Sequence, residues 1–426
     1  MYFRVKIVEA GCKNKFSPAP ECPEPKKRVP DTVNYAVFNI FVKNPGLMWK
    51  RICIFLTCVM LAMPAVETVA QDTDSGRRID EAIRLMDDGL YAESEDLLKS
   101  VLAAEPDNYL ASYELAYLNY LREDYKAAVR ILEKLKKSPG NRDLTYQILG
   151  NAYDLMGNRK RAEAAYKQGL AEFPRSGRLY LELGNVAYNN GEYLPALAYF
   201  EQGIAAEPSF PSNYYNVSNV FFRSSEVVWG MFYGEIFMNM ERGSKRTRTM
   251  SRYLYNAYKQ GITVGRDEDS GDRTLTIDFS RRNEISVTPD SLVCIPFGTG
   301  VYETVLGMSF PTDADSVDMA SLNRMRCNFV GNYFSAMDEL RGKVTVIPDT
   351  PNILLNYQRR ITEAGHMEAY NYWILMEGDP DSTGAWAEAH GDEWEAFMNW
   401  FRENPMTVDG THYFHRNLYE DVSFEE

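Results

Sequence analysis

An all-α fold, a solenoid of four to five helical hairpins continued by a mostly helical carboxyl-terminal region with a small β-hairpin insertion, follows from two observations. The first is a segment written twice: "LGNAYDLMGNRKRAEAAYKQGLAEFP" from Leu149 to Pro174 returns as "LGNVAYNNGEYLPALAYFEQGIAAEP" from Leu183 to Pro208, 34 positions later. The second is a set of apolar residues at helical spacing within each copy, punctuated by glycine and closed by proline. A period near 34 belongs to stacked supersecondary units.

The elements follow in order. Aligning Pro106, Pro174 and Pro208 brings Gly89, Gly157 and Gly191 into register, and likewise Leu98, Tyr166 and Phe200. In each unit the glycine ends a first helix and the proline stops a second. Gly150 and Ala162 are read as the small residues where the two helices of one hairpin pass closest, with Tyr166 and Phe200 filling the gap to the next unit. The units are 75–108, 109–142, 143–176 and 177–210. The first departs at Ser94 in the small position, and the second at Glu123 in the turn and at its displaced Pro139. A fifth unit begins at Pro211, but its second helix, "VVWGMFYGEIFMNM", is apolar nearly all round and so demands burial on both sides. Gly230 and Gly234 within it allow close approach of a neighbour.

These positions resemble the tetratricopeptide repeat, whose Leu-Gly, Tyr, Ala, Phe and Pro positions they match over about 135 residues. The resemblance implies a protein-binding scaffold, with the first helices of successive units lining a concave side. Positions 2, 5, 9 and 12 of those helices share the exposed face. They read Leu110, Tyr113, Tyr117 and Tyr120; Leu144, Gln147, Asn151 and Asp154; Arg178, Leu181, Asn185 and Tyr188; with Asn219 in the fifth unit. Tyr113, Tyr117, Tyr120, Asn151, Asp154, Arg178, Asn185, Tyr188 and Asn219 are therefore the expected contacts to a protein or peptide partner. Tyrosines offer flat contact area at low entropic cost, and amides both donate and accept hydrogen bonds. Only Arg178 is basic among positions that clamp a carboxyl terminus in some such repeats, which argues against that type of recognition.

Charge and leader complete the outline. "MWKRICIFLTCVMLAMPAVETVAQD" from Met48 has the basic start, apolar run and small-residue end of a secretory signal peptide, with cleavage expected after Ala70. Residues 1–47 read as a spurious or disordered extension, 48–70 as the signal peptide, 75–241 as the solenoid, and 242–426 as the carboxyl-terminal region. The whole chain carries 46 basic and 60 acidic residues; beyond residue 70 it carries 36 against 55, a net of −19. Such a surface repels nucleic acid and anionic lipid. Past the signal peptide no transmembrane span is expected, and the chain looks like the exported repeat proteins of Bacteroidota, in the periplasm or at the outer membrane. Of six cysteines only Cys294 and Cys327 lie past the signal peptide, as two free thiols or one bridge.

In the carboxyl-terminal region Ser244 is placed to cap a basic helix from Lys245 to Gly261. "RTLTIDFS" and "NEISV" alternate as a β-hairpin around Arg281-Arg282, near 273–288. Four helical segments follow, with a hairpin hinged at Ala364-Gly365. His366, His390, His412 and His415 lack the spacing of a zinc site, and "PFGTG" lacks a phosphate-cradling frame and reads as a turn. No catalytic residue, metal site or cofactor is assigned. The alternative is a catalytic or glycan-binding carboxyl-terminal module positioned by the repeats, which a deep pocket around Tyr302, Glu303, His366 and Tyr370 with converging polar groups would favour.

Overall fold

Glycine and aromatic side chains set the repeat geometry. In the computed structural model, which describes residues 74–280, 286–287, 292–340, 344–346, 352–419 and 421–425, the first ten helices form five consecutive hairpins. They are α1 (Asp74–Asp87) with α2 (Tyr91–Ala104), α3 (Tyr109–Leu121) with α4 (Tyr125–Leu135), and α5 (Asp143–Leu155) with α6 (Arg159–Glu172). Then come α7 (Gly177–Asn189) with α8 (Tyr193–Ala206), and α9 (Pro211–Phe221) with α10 (Val227–Met240). The residues read as signal peptide and extension lie outside the described residues. Side chains of Asn108, Asp124, Asn158 and Ser176 accept the backbone N–H three residues on and so start α3, α4, α6 and α7. Gly89, Gly157 and Gly191 turn each hairpin at φ of +76°, +73° and +77°; Glu123 does the same at +63° without a glycine's freedom.

The third and fourth hairpins are each closed by a ring lying on a glycine. A Cβ on Gly150 would overlap the ring of Tyr166, and one on Gly184 the ring of Phe200. The rings thus pack against the glycine of their own hairpin, and Tyr166 shares its core cluster with Leu179 and Leu183 of the next unit. Successive units are joined by Gly169, where a Cβ would stand 2.6 Å from Cβ of Tyr146 and 2.7 Å from Leu179. Polar ties add to this: Ser176 Oγ donates to Asp143 at 2.6 Å, and Asn213 Nδ2 to the Gly177 carbonyl at 3.0 Å.

All twelve residues from Val228 to Asn239 of α10 are buried, as an apolar helix demands. A Cβ on Gly234 would stand 2.6 Å from Met250 Sδ and 2.8 Å from Ser218 Oγ, so the neighbours do approach there. Ser244 caps α11 (Lys245–Gly261) through a reciprocal pair with Thr247. Around α10 and α11 pack α12 (Thr304–Ser309), α13 (Met319–Leu340), α14 (Ile353–Glu363), α15 (Met367–Leu375), α16 (Pro380–Ala389) and α17 (Gly391–Glu403). Gly365, at φ +77°, joins α14 to α15.

The β structure differs from expectation. Strand β2 (Arg273–Ile277) pairs antiparallel with β1 (Ile262–Arg266), the segment before it, not with "NEISV". The turn is the acidic "DEDSGD" with Gly271 at φ +74°, and α11 runs straight into β1. Residues of "NEISV" enter a second sheet as β3 (Ser286–Val287), beside β4 (Leu292–Pro296), β5 (Val344–Val346) and β6 (Asp421–Glu425), in the antiparallel order β3-β4-β6-β5. "PFGTG" is no simple turn: Phe297–Glu303 winds as π-helical turns leading into α12. Cys327 is a free, half-buried thiol.

Candidate protein-binding face

Helix α3 carries a ladder of rings along one face. Tyr109, Tyr113, Tyr117 and Tyr120 stack in sequence with centroids 6.2, 6.5 and 6.1 Å apart and planes within 13° of parallel. Their spacing of four, four and three residues keeps them on one side of the helix. Tyr125 at the start of α4 meets Tyr120 edge-on at 5.6 Å. The lower end is pinned by a hydrogen bond between the Tyr109 and Thr145 hydroxyls at 2.9 Å and by Arg142 over the Tyr109 ring. Positions 1 and 17 of the repeat, Tyr109 and Tyr125, therefore extend the ladder beyond the three tyrosines read from the sequence.

The neighbouring first helices continue the face in polar groups. Glu182 on α7 accepts from Gln147 Nε2 on α5 at 2.7 Å and from Asn185 Nδ2 at 3.3 Å; Asn185 Oδ1 accepts from Asn216 on α9 at 3.4 Å. Asn151 Oδ1 accepts the Tyr166 hydroxyl at 2.5 Å. The recurring asparagines thus have a local reason: Asn151 holds the hairpin-closing ring and Asn185 bridges adjacent units. Each has part of its hydrogen-bonding capacity already taken. Asn219 is half-buried and Asp154 exposed. Arg178 pairs with Asp143, whose Oδ2 lies 3.1 Å from its Nε. Tyr188 packs edge-on against Tyr193 at 5.3 Å and under Arg223. Glu182 and Asn216 occupy position 6, which spacing at positions 2, 5, 9 and 12 passed over; their one-turn offset was the available signal.

Burial shifts the titration of this face. Partial burial, with Asp87 nearby, pushes the Glu114 carboxyl up to about 7. Burial raises the Tyr113 and Tyr120 hydroxyls, with Glu114 adding to the first and Tyr125 and Glu182 to the second. Burial raises Tyr166 as well, with Glu182 and Asp154 contributing. The rings of α3 and the carboxylates of α5 and α7 therefore share one field.

A family model, the tetratricopeptide repeat, matches residues 79–142 and 149–211. This segment is a tetratricopeptide-repeat array. Solved structures similar to the chain include TTC0263, a thermophilic repeat protein of Thermus thermophilus, at 18% identity over 42% of this chain and 98% of that one, with a TM-score of 0.37. PilF of Pseudomonas aeruginosa is 17% identical over 43% and 84%, TM-score 0.37. YrrB, described as a tetratricopeptide-repeat protein with an unusual peptide-binding site, is 15% identical over 39% and 87%, TM-score 0.29. No curated protein matches the sequence.

Beyond the array, the residues set out for a carboxyl-terminal pocket are used for packing. Tyr370 donates to Glu235 at 2.9 Å, and Tyr302 meets the Tyr258 hydroxyl at 3.4 Å. The His366 ring lies against Phe397 and Trp400. Burial raises Glu303 to about 7. The cavity that Tyr302 lines with Glu235, Arg326 and Gln358 gives a water centre only about 10 Å³, room for about one water and far below the hundreds of Å³ of a substrate pocket. His412 sits in a loop, bonded to Asp409. Among the described residues no group of three or more potential ligands is placed to hold a metal, and no helix is long and apolar enough to cross a membrane.

Proposed function

We propose that this protein is a non-catalytic scaffold of the bacterial cell envelope that holds a polypeptide partner on the concave face of its repeats. One observation carries the reading: Tyr109, Tyr113, Tyr117 and Tyr120 stack as a half-buried ladder along one face of α3, while hydrogen-bonded amides and a carboxylate, Gln147, Glu182, Asn185 and Asn216, link the first helices α5, α7 and α9. Aligned rings supply rigid contact area, and solenoids use such inner faces for extended ligands. Export rests on the leader from Met48 alone; the protein isolated from its cells then starts at Gln71.

The test is recovery of a partner from envelope extract by the purified protein, compared with variants Tyr117→Ala and Tyr188→Ala. Recovery drops for both variants under this reading. Equal recovery by wild type and variants discredits the concave face.

A further inference from the structure

A buried carboxyl group needs a cation or several hydrogen bonds, and Glu303 has neither in full. Its residue is 8% exposed; among the described residues it forms no ion pair, and its Oε1 is buried without a hydrogen-bond partner. It ends the π-helical turns Phe297–Glu303, and their winding decides what it faces. Residues five apart share one side of a π-helix, whereas in an α-helix they lie about 140° apart around the axis. Gly298 precedes Glu303 by five, and a Cβ there would stand 2.8 Å from Oγ of Ser280, itself buried without a hydrogen bond of normal geometry. The π winding therefore turns Glu303 to the side on which Ser280 lies. Both ends of this contact are tied to the last repeat helix: the Val227 N–H donates to the Phe279 carbonyl at 2.9 Å, and Phe297 stacks on Trp229 at 5.7 Å. Strand β4 runs straight into the turns.

We propose that Phe297–Glu303 is a proton-operated latch between α10 and β4: neutral Glu303 holds the π turns against Phe279 and Ser280, and ionised Glu303 releases them so that its carboxylate reaches water. This goes beyond the concave-face reading and does not depend on it. Of the elements packed on the turns, α12 and β4 carry no charged side chain, and the one on α10, Glu235, is bonded to Arg326. From the other side come Asp278 and Glu226, the latter bridged to Ser280. Burial pushes the Glu303 carboxyl up to about 7, the Phe279 and Ser280 backbone opposing and Asp278 adding to the rise. A raised value means that the closed form holds the proton more tightly. The latch is therefore firm below about 4.5 and loosens as pH rises from there through 7. Between pH 6 and pH 8 those two values raise the open population about tenfold.

Amide hydrogen exchange of the purified full chain is followed by mass spectrometry at pH 6, 7 and 8 and corrected for the intrinsic pH dependence of exchange. Opening of residues 297–304 is expected to rise about tenfold from pH 6 to pH 8, while α5 and α6, remote from the turns, show no such rise. Glu303→Gln, which stays neutral, removes the rise. Asp278→Asn, an exposed change that leaves the buried carboxyl in place, makes it smaller, because Glu303 then gives up its proton more readily; this variant carries the test if circular dichroism shows Glu303→Gln unfolded. No rise in the wild type, the same rise in wild type and Glu303→Gln, or a rise in Asp278→Asn as large as the wild type's overturns the proposal. A rise shared by α5 and α6 marks general loosening of the chain and overturns it as well.

Discussion

Glu235 and Arg326 stand 91 positions apart in the chain and meet inside it, with Arg326 Nη2 2.6 Å from Glu235 Oε1 and both side chains at least 95% buried. Both partners are bonded to further polar groups. Glu235 also accepts from Gln358 at 2.7 Å and Tyr370 at 2.9 Å, while Arg326 donates to Asn371 and the Tyr258 hydroxyl, each at 2.7 Å. Burial alone would lower the Arg326 pKa, but the Glu235 carboxylate outweighs it and raises it well above the ordinary arginine value. The cluster joins the last repeat helix, α10, to α11, α13, α14 and α15.

Breaking this pair from one side is therefore costly. Arg326→Met, which leaves a buried carboxylate without its cation, is expected to lower unfolding free energy by about 3–5 kcal/mol. Adding Glu235→Leu to it should recover much of that loss, because the uncompensated charge is gone. Urea unfolding of both variants checks this; equal losses would mean that the pair is not acting as a unit.

The ring-on-glycine closure of the third and fourth hairpins makes a second prediction. Gly150→Ala and Gly184→Ala place a methyl group where Tyr166 and Phe200 lie, and overpacking of this kind costs about 1–3 kcal/mol. Gly157→Ala also destabilises, but through its backbone, since a Cβ there meets nothing within 4 Å and φ is +73°. Combining Gly150→Ala with Tyr166→Leu separates the two causes: the steric penalty is partly relieved, whereas a backbone penalty would persist.

Glu123 holds a left-handed turn that the first, third and fourth repeats give to glycine. Glu123→Gly removes the Cβ strain and should raise stability by about 0.5–1 kcal/mol, less the entropy a glycine adds to the unfolded chain. A higher urea midpoint with an unchanged slope is the expected reading.

Glu114 adds a pH dependence. Its folded value of about 7 lies above the ordinary carboxylate value, so the folded state holds the proton more tightly and stability falls as pH rises from about 4.5 through 7. Glu114→Gln removes that loss. Thermal melts should show the variant more stable than wild type at pH 8 and little changed at pH 4.5; an equal gain at both would assign the effect to packing.

What could be read from the sequence was what repeats locally. Turn glycines, the closing prolines, the buried Tyr166 and Phe200 and the all-round burial of α10 each follow from spacing within about one unit. Contacts between distant segments left no such trace. Glu235 looks like a lone charge in an apolar helix until Arg326 is brought to it, and β6 finds β4 across more than a hundred residues. The misplaced β-hairpin has the same origin, since alternation marks a strand without naming its partner. In the groove, tyrosine spacing was legible, but the capture of Arg178 by Asp143 and the role of Glu182 depend on how adjacent units abut.

The concave face itself is tested most directly by photo-cross-linking. A benzophenone amino acid placed at Tyr117, at Tyr188 or, on a second helix, at Lys167 is irradiated in cells producing the full chain. A defined polypeptide adduct from positions 117 and 188, missing from position 167, is the predicted result. Adducts from position 167 alone, or the same adducts from all three, would contradict it.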